Sequence, residues 1–312
     1  MSIYMWRERP GYLCFTANTA GSTVQLDKAS SPTAVTLETS TDGNSWSTYT
    51  FWSWITLSNI WDKVYMRSTS TTDTGFSVGS GGFYYFAMTG SISASGDITT
   101  LLNKNGTTTL SNYCFFHLFD WCTSLTTAPS LPATTLADYC YHYMFNWCTS
   151  LATAPSLPAT TLAEHCYRNM FNWCTSLTTA PSLPATTLTS HCYYSMFIWC
   201  TGLITAPSLP ATTLAERCYN IMFSWCTSLT TLPELPATTL TERCYYRMFY
   251  NCTNLKLSTT QTWEYQTSYR IPTTWTWTTA SNALSDMFIG TWWTFAAEPT
   301  INTTYYTSNT LV

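Results

Sequence analysis

One string recurs with a fixed period. CYRNMFNWCTSL, residues 166–177, returns as CYHYMFNWCTSL, CYYSMFIWCTGL, CYNIMFSWCTSL and CYYRMFYNCTNL within a unit CYxxMFxWCTSLTTAPSLPATTLAEH that repeats every 26 residues. The cysteine pairs 114/122, 140/148, 166/174, 192/200, 218/226 and 244/252 mark six copies. A period of this size implies stacked coils, because a single unit cannot bury its own apolar face and needs a neighbour on each side. Both flanks carry altered copies, as the open ends of such a stack require. ITTLLNKNGTTTLSNYC at 98–114 reads as the unit with one insertion, and ALSDMFIGTWWTF at 283–295 keeps Met-Phe without the cysteines.

Residues 1–95 follow another rule. YLCFTA, STVQLDK, TAVTLETS, STYTFWSWITL, DKVYMRSTS and FYYFAMTGS are short β-branched or aromatic runs separated by turn residues. They predict an antiparallel, immunoglobulin-like β-sandwich of about seven strands. STDGNSW resembles an Asp box one residue short, and reads more simply as an Asp-Gly hairpin turn. The expected organisation is a mounting domain at 1–95, a repeat region at 96–256, and a capping copy with a tail at 257–312. Residues 256–279 carry no assignment; within them TWEYQTSYRIPTTWTWTT reads either as strands that cap the stack or as an arm toward a partner.

Within one copy, Cys140, Tyr141, Met144, Phe145 and Cys148 fall in a single arc at about 100° per residue, so the spacing predicts a short amphipathic helix. Thr161 with Glu164, Thr213 with Glu216, Thr239 with Glu242, and Thr135 with Asp138 read as capping boxes for it. The proline-broken SLTTAPSLPA supplies brief strands and turns. The expected fold class is therefore an α/β leucine-rich-repeat solenoid of about six coils behind the β-sandwich. Cysteines eight apart on a helix are about 12 Å apart, too far for a bridge within one copy. Packed helices, roughly 8–10 Å apart, would also keep the cysteines of neighbouring copies unbridged. The spacing matches no zinc pattern. The expectation is no disulfide, no metal and a buried thiol column.

Only 9% of the residues are charged against 45% hydrophobic and 16% aromatic, so Thr, Ser, Asn and Tyr must cover the surface, as in extracellular or virion proteins. A net charge of -4 without a Lys/Arg cluster argues against nucleic acid and anionic membranes. No apolar run reaches a membrane span, and none at the start is long enough for a secretory signal. The four histidines, His117, His142, His165 and His191, fall in variable columns and read as surface residues. No Ser-His-Asp set, phosphate loop or acid pair emerges, so neither an enzyme nor a cofactor is expected. LPATT lacks the Gly of a sortase signal and belongs to the repeat, while Asn105, Asn251 and Asn302 stand in N-x-T sequons.

The repeated MFxWCTSL resembles the MFxxCxSL units of BspA-like leucine-rich-repeat surface proteins over residues 98–256. That resemblance implies adhesion to host proteins, cells or matrix, and similar repeats occur in gut Bacteroidales and their phages. LPATTL replaces a fuller Leu/Ile strand and Trp precedes the second cysteine. These departures, with no export or wall-anchor signal, favour a virion-borne protein over a cell-wall adhesin.

The columns that vary between copies form 24 outward positions, from Tyr113, Phe116, His117 and Asp120 to Arg243, Tyr246, Arg247 and Tyr250. The expected ligand face takes Tyr139, His142, Tyr143 and Asn146 from one row and His165, Arg168, Asn169 and Asn172 from the next. His191 and Tyr194, Arg217 and Asn220, and the Arg243 row complete it. Aromatic and Arg side chains of this kind anchor recognition surfaces. Variation without constraint is the plainer reading, yet none of the 24 is Lys, Glu or Gln. All eight residue types found there are reachable from asparagine codons by changing adenines, as a diversity-generating retroelement would do. Trp121, Trp147, Trp173, Trp199 and Trp225 form a constant column, either packing between copies or offering a stacking surface to sugars. The expected partner is a cell-surface protein or glycan; alternatively, the chain is a structural or decoration subunit meeting other virion proteins or copies of itself as a homo-oligomer.

Overall fold

The computed structural model describes residues 11–30, 34–72, 76, 79, 81–270, 280–291 and 304–312. Asn302, all of 271–279 and the end of the last altered copy (292–295) lie outside them. The N-terminal strands are β1 (Leu13–Ala17), β2 (Ser22–Ser30), β3 (Leu37–Ser40), β4 (Ser47–Thr48), β5 (Ile55–Leu57), β6 (Lys63–Ser68), β7 (Gly82–Thr89) and β8 (Ile92–Ser95). They form one sheet in the order β4-β3-β6-β1-β8 and a second in the order β5-β2-β7, all pairings antiparallel. Alternation explains the pairing: Leu13, Phe15 and Ala17 of β1 are buried, and Phe15 meets Phe86 of β7 edge to face at 4.9 Å. STDGNSW closes the β3-β4 hairpin with Gly43 at φ +75°, and Asp42 accepts from the amides of Asn44 and Ser45 at 2.8 and 2.7 Å. Those bonds hold the Asp42 carboxyl well below the usual carboxylate range.

The repeats correct the sequence expectation. Among the described residues there is no α-helix, only one 3₁₀ turn, Ile98–Leu101, so the α/β leucine-rich-repeat class is overturned. The segment expected to be helical is a ribbon of overlapping turns. The amides of Cys114, Phe116, Leu118, Asp120 and Cys122 donate back to carbonyls three residues earlier, at 3.0–3.2 Å. The alternate amides, of Tyr113, Phe115, His117, Phe119 and Trp121, donate across to Asp138, Cys140, His142, Met144 and Asn146 of the next copy at 2.8–3.1 Å. Tyr113, His117 and Trp121 take positive φ of 58°, 59° and 63°, and the same columns do so in every copy.

The physical reason lies in the period. Cys-Tyr and Met-Phe pairs return every four residues, whereas a helix would rotate them by about 40° per four. A turn ribbon keeps them in line. A helix would also consume every amide internally and hold neighbours roughly 8–10 Å apart. Here half the amides reach the next coil, so coils stack at nearly strand spacing, about 4.8 Å. On the opposite side, β9 (Leu125–Thr127) and parallel bridges such as Thr127↔Thr153, Thr109↔Thr135↔Thr161 and Thr187↔Thr213 keep the same register.

The capping boxes are corrected too, since there is no helix to cap. Asp138 instead accepts from the amide of Glu164 in the next coil at 3.0 Å, and Asn112 accepts from that of Asp138 at 3.2 Å.

Aromatic ladders run through the stack. Phe86, Phe119, Phe145, Phe171, Phe197, Phe223, Phe249 and Phe288 stack in series at centroid distances of 5.0–5.6 Å. Phe86 belongs to β7, so the N-terminal domain supplies the first rung, and one apolar core spans both parts. Phe288 belongs to the cysteine-free copy, which takes the last rung. Tyr245 donates to Ala283 (283 − 245 = 38), whereas Tyr219 donates to Cys244 (244 − 219 = 25), so 13 extra residues loop out before this rung. Gly290 continues the left-handed column at φ +76°, where a Cβ would strike Asn251 Oδ1. The strands β10 (Thr231–Leu232), β11 (Leu257–Ser258), β12 (Thr267–Arg270), β13 (Thr304–Thr307) and β14 (Thr310–Leu311) close the end. β14 pairs in parallel with β10, and Arg270 donates to the carbonyls of Leu235 and Ala237 at 2.6 and 3.2 Å.

All thirteen cysteines are buried with free thiols. Cys148 Sγ donates to the Phe119 carbonyl at 3.1 Å, and Cys174, Cys200, Cys226 and Cys252 repeat the contact one coil on. Coil spacing of about 4.8 Å removes the helix-distance argument against bridges between copies; what occupies the second thiol of these copies is a carbonyl of the preceding coil.

Candidate functional site

The turn ribbon points two residues inward and two outward in each quartet, so the variable columns stand side by side over six coils. They are packed more closely than free surface residues. None of the 24 is fully exposed, and His142, Asn146, Asn169, Ser195, Asn220 and Ser224 are buried by their neighbours. That corrects the reading of His142 as a surface residue: it is 7% exposed.

Toward the N-terminal end the face is aromatic. Tyr113, Tyr139, His165 and His191 stack in series at 4.7, 4.4 and 4.5 Å. Tyr143 stacks on His117 at 4.7 Å and on His142 at 4.3 Å. Asn172 donates to Asn146 at 2.8 Å, and Asn146 to Asp120 at 2.7 Å. Burial first, then the Arg168 charge, pushes the His142 pKa down to about 2. Burial likewise lowers His165 and His191 to about 4, with the His191 and Arg168 charges adding to the shift at His165 and the Arg168 and Arg217 charges at His191. These three imidazoles are neutral near pH 7.

Toward the C-terminal end the face is basic and concave. Arg168, His191, Tyr194, Arg217, Asn220, Ile221, Arg243 and Tyr246 line a depression of about 430 Å³. The dip has a simple cause: in the column Phe116, His142, Arg168, Tyr194, Asn220, Tyr246, Asn220 is the shortest side chain. Arg168 lies over the Tyr194 ring at 4.6 Å and Arg243 over Tyr246 at 5.9 Å. Arg217 contacts Glu216 at 2.9 Å and Glu242 at 3.4 Å. Beyond the depression, Arg247 pairs with Asp286 at 2.8 Å, and Tyr250 meets Trp225 edge to face.

The structure thus gathers Arg168, His191, Tyr194, Arg217, Asn220, Arg243 and Tyr246 of the expected set. It places Tyr139, His142, Tyr143, Asn146, His165, Asn169 and Asn172 on the earlier rows, and Arg247 and Tyr250 past the rim. Ile221 was missed because an apolar residue carries no recognition signal, although its column was variable. Glu216 and Glu242, read as caps, instead temper the charge of Arg217. The Trp column is a face-to-face ladder at 4.3–4.7 Å, so each ring covers the next and only the terminal Trp121 is well exposed, at 60%.

Among the described residues no group of three or more His, Cys, Asp or Glu could hold a metal, and no helix is long and apolar enough to cross a membrane. Comparison with family models, curated proteins and solved structures gave no match, so the BspA-like resemblance rests on the repeated motif alone.

Proposed function

We propose that this chain is a non-enzymatic binding protein of a virion or bacterial cell surface, and that its outward columns recognise a cell-surface protein or glycan. One observation carries the reading. Eight buried side-chain polar atoms among the described residues lack a hydrogen-bond partner, and seven of them belong to the outward columns: both His142 nitrogens, Arg168 Nε, Asn169 Oδ1, Asn172 Oδ1, Asn220 Oδ1 and Arg243 Nε. Buried polar groups are otherwise nearly always paired, and each unpaired one costs about 1–3 kcal/mol. Concentrating that cost on one face is what a surface prepared for a polar ligand does.

A second reading, a structural or decoration subunit acting through assembly, draws on Trp52, Trp54, Ile60 and Trp61. These stand 50–72% exposed on the N-terminal domain. Contiguous exposed apolar surface marks association. The two readings separate when His142, Tyr143, Arg168 and Asn169 are exchanged among themselves in the full chain. Labelled protein should then lose binding to bacterial cells or a glycan array while its oligomeric state is kept. Unchanged binding with lost assembly would sink the first reading.

A further inference from the structure

The depression between Arg168 and Arg243 has a chemistry of its own. Three of the twelve Lys and Arg residues of the chain line this one cavity, and no carboxylate does. Arg168 Nε and Arg243 Nε are buried without hydrogen-bond partners, and the nearest carboxylate oxygen to Arg243 Nε, from Glu242, is 4.0 Å away. Glu216 and Glu242 beside Arg217 offset much of the charge, which suits a monoanion better than a phosphate dianion. At the floor, Asn220 is 3% exposed with an unpartnered Oδ1, an acceptor that calls for a hydroxyl or N–H donor. The rings of Tyr194 and Tyr246 rise on either side of it. A ligand that satisfies all of these has one negative group, hydroxyl or amide donors close to it, and a flat C–H face.

We propose that this depression is a subsite for an acidic sugar unit of a glycan, its carboxylate held by Arg168, Arg217 and Arg243 and a hydroxyl donating to Asn220. The proposal rests on the reading of the outward columns as a ligand face and names its ligand class. Arginine forks match a carboxylate in plane, and tyrosines bracket a sugar ring at low entropic cost.

The test uses the full chain, calorimetry and four probes: methyl glucuronide, methyl glucoside, inorganic phosphate and inorganic sulfate. Saturable glucuronide binding is expected, at least about tenfold tighter than glucoside and weakened by added salt. Arg217→Gln and the near-isosteric Asn220→Asp should each weaken it by about tenfold or more with thermal unfolding little changed. The selectivity series on the unaltered protein needs no variant, so a misfolded variant leaves the test intact. Absent glucuronide binding, equal binding of glucoside, or displacement by phosphate or sulfate at equal concentration would each overturn the proposal. If Arg217→Gln spares cell binding that the four-residue exchange abolishes, the subsite fails and the broader reading stands.

Discussion

Ser195 holds its backbone at φ +52°, in a column where His117, Tyr143, Asn169, Ile221 and Arg247 do the same. For residues with a Cβ this region costs about 1–2 kcal/mol, least for Asn. Ile221 bears the worst case, but its half-buried side chain offsets any gain from replacing it. Ser195→Gly is cleaner, because glycine takes this region without a Cβ clash, as Gly290 does in the last copy. It should stabilise the fold by about 0.5–1 kcal/mol, read as a rise in thermal or denaturant midpoint. His142 gives the second residue-scale expectation. Its folded pKa, and those of His165 and His191, lie below the unfolded value of about 6.5. The unfolded chain therefore binds protons first on acidification, so stability is complete above pH 6.5. It falls as the pH drops toward 4, and His142 extends the loss toward 2. His142→Phe removes an unpartnered imidazole and should add about 1–2 kcal/mol at pH 7 while flattening the acid limb of an unfolding-versus-pH series. An unchanged acid limb would place the sensitivity elsewhere.

At the scale of one coil, the sequence showed which residues are inside and left open what backbone puts them there. Cys-Tyr, Met-Phe and Cys at quartet spacing satisfy a helix over nine residues, because the accumulated drift is only about 80°. Propensity could not decide either, since Tyr, His, Arg, Ser and Ile all take positive φ here without glycine. The deciding term is the neighbour: odd-numbered amides find carbonyls in the next coil, a non-local partner that single-copy periodicity cannot register. The outward columns were legible because facing is shared by helix and ribbon, whereas the depression at Asn220 depends on comparing heights down a column. The thiols offer the check at this scale. Burial pushes Cys140 up to about 12 and raises Cys174 and Cys226 as well. Native protein should resist an aromatic disulfide reagent, with all thirteen thiols reacting in guanidinium without reductant. A shortfall in denaturant would reveal bridges that the close coil spacing permits.

At the scale of the whole chain, Phe86 at one end and Phe288 at the other make the stack a single ladder with dedicated terminal rungs, and stability should behave as a sum over coils and their interfaces. The register is then the quantity under strictest control, because alternate ribbon amides, the stacked rings and the second thiol of each copy count on partners 25 to 29 residues away. Deleting residues 140–165, one full period of 26, joins Tyr139 to Cys166 and restores every column. That variant should fold, unfold cooperatively and lose only a few degrees of thermal midpoint, of the order expected for about 1 kcal/mol. Deleting 140–164, one residue fewer, leaves His165 as an extra link and sets each inward pair against an outward one. It should yield a chain without a cooperative transition in differential scanning calorimetry. If the two deletions melted alike, the hydrogen bonds between coils would not be what orders the ribbon.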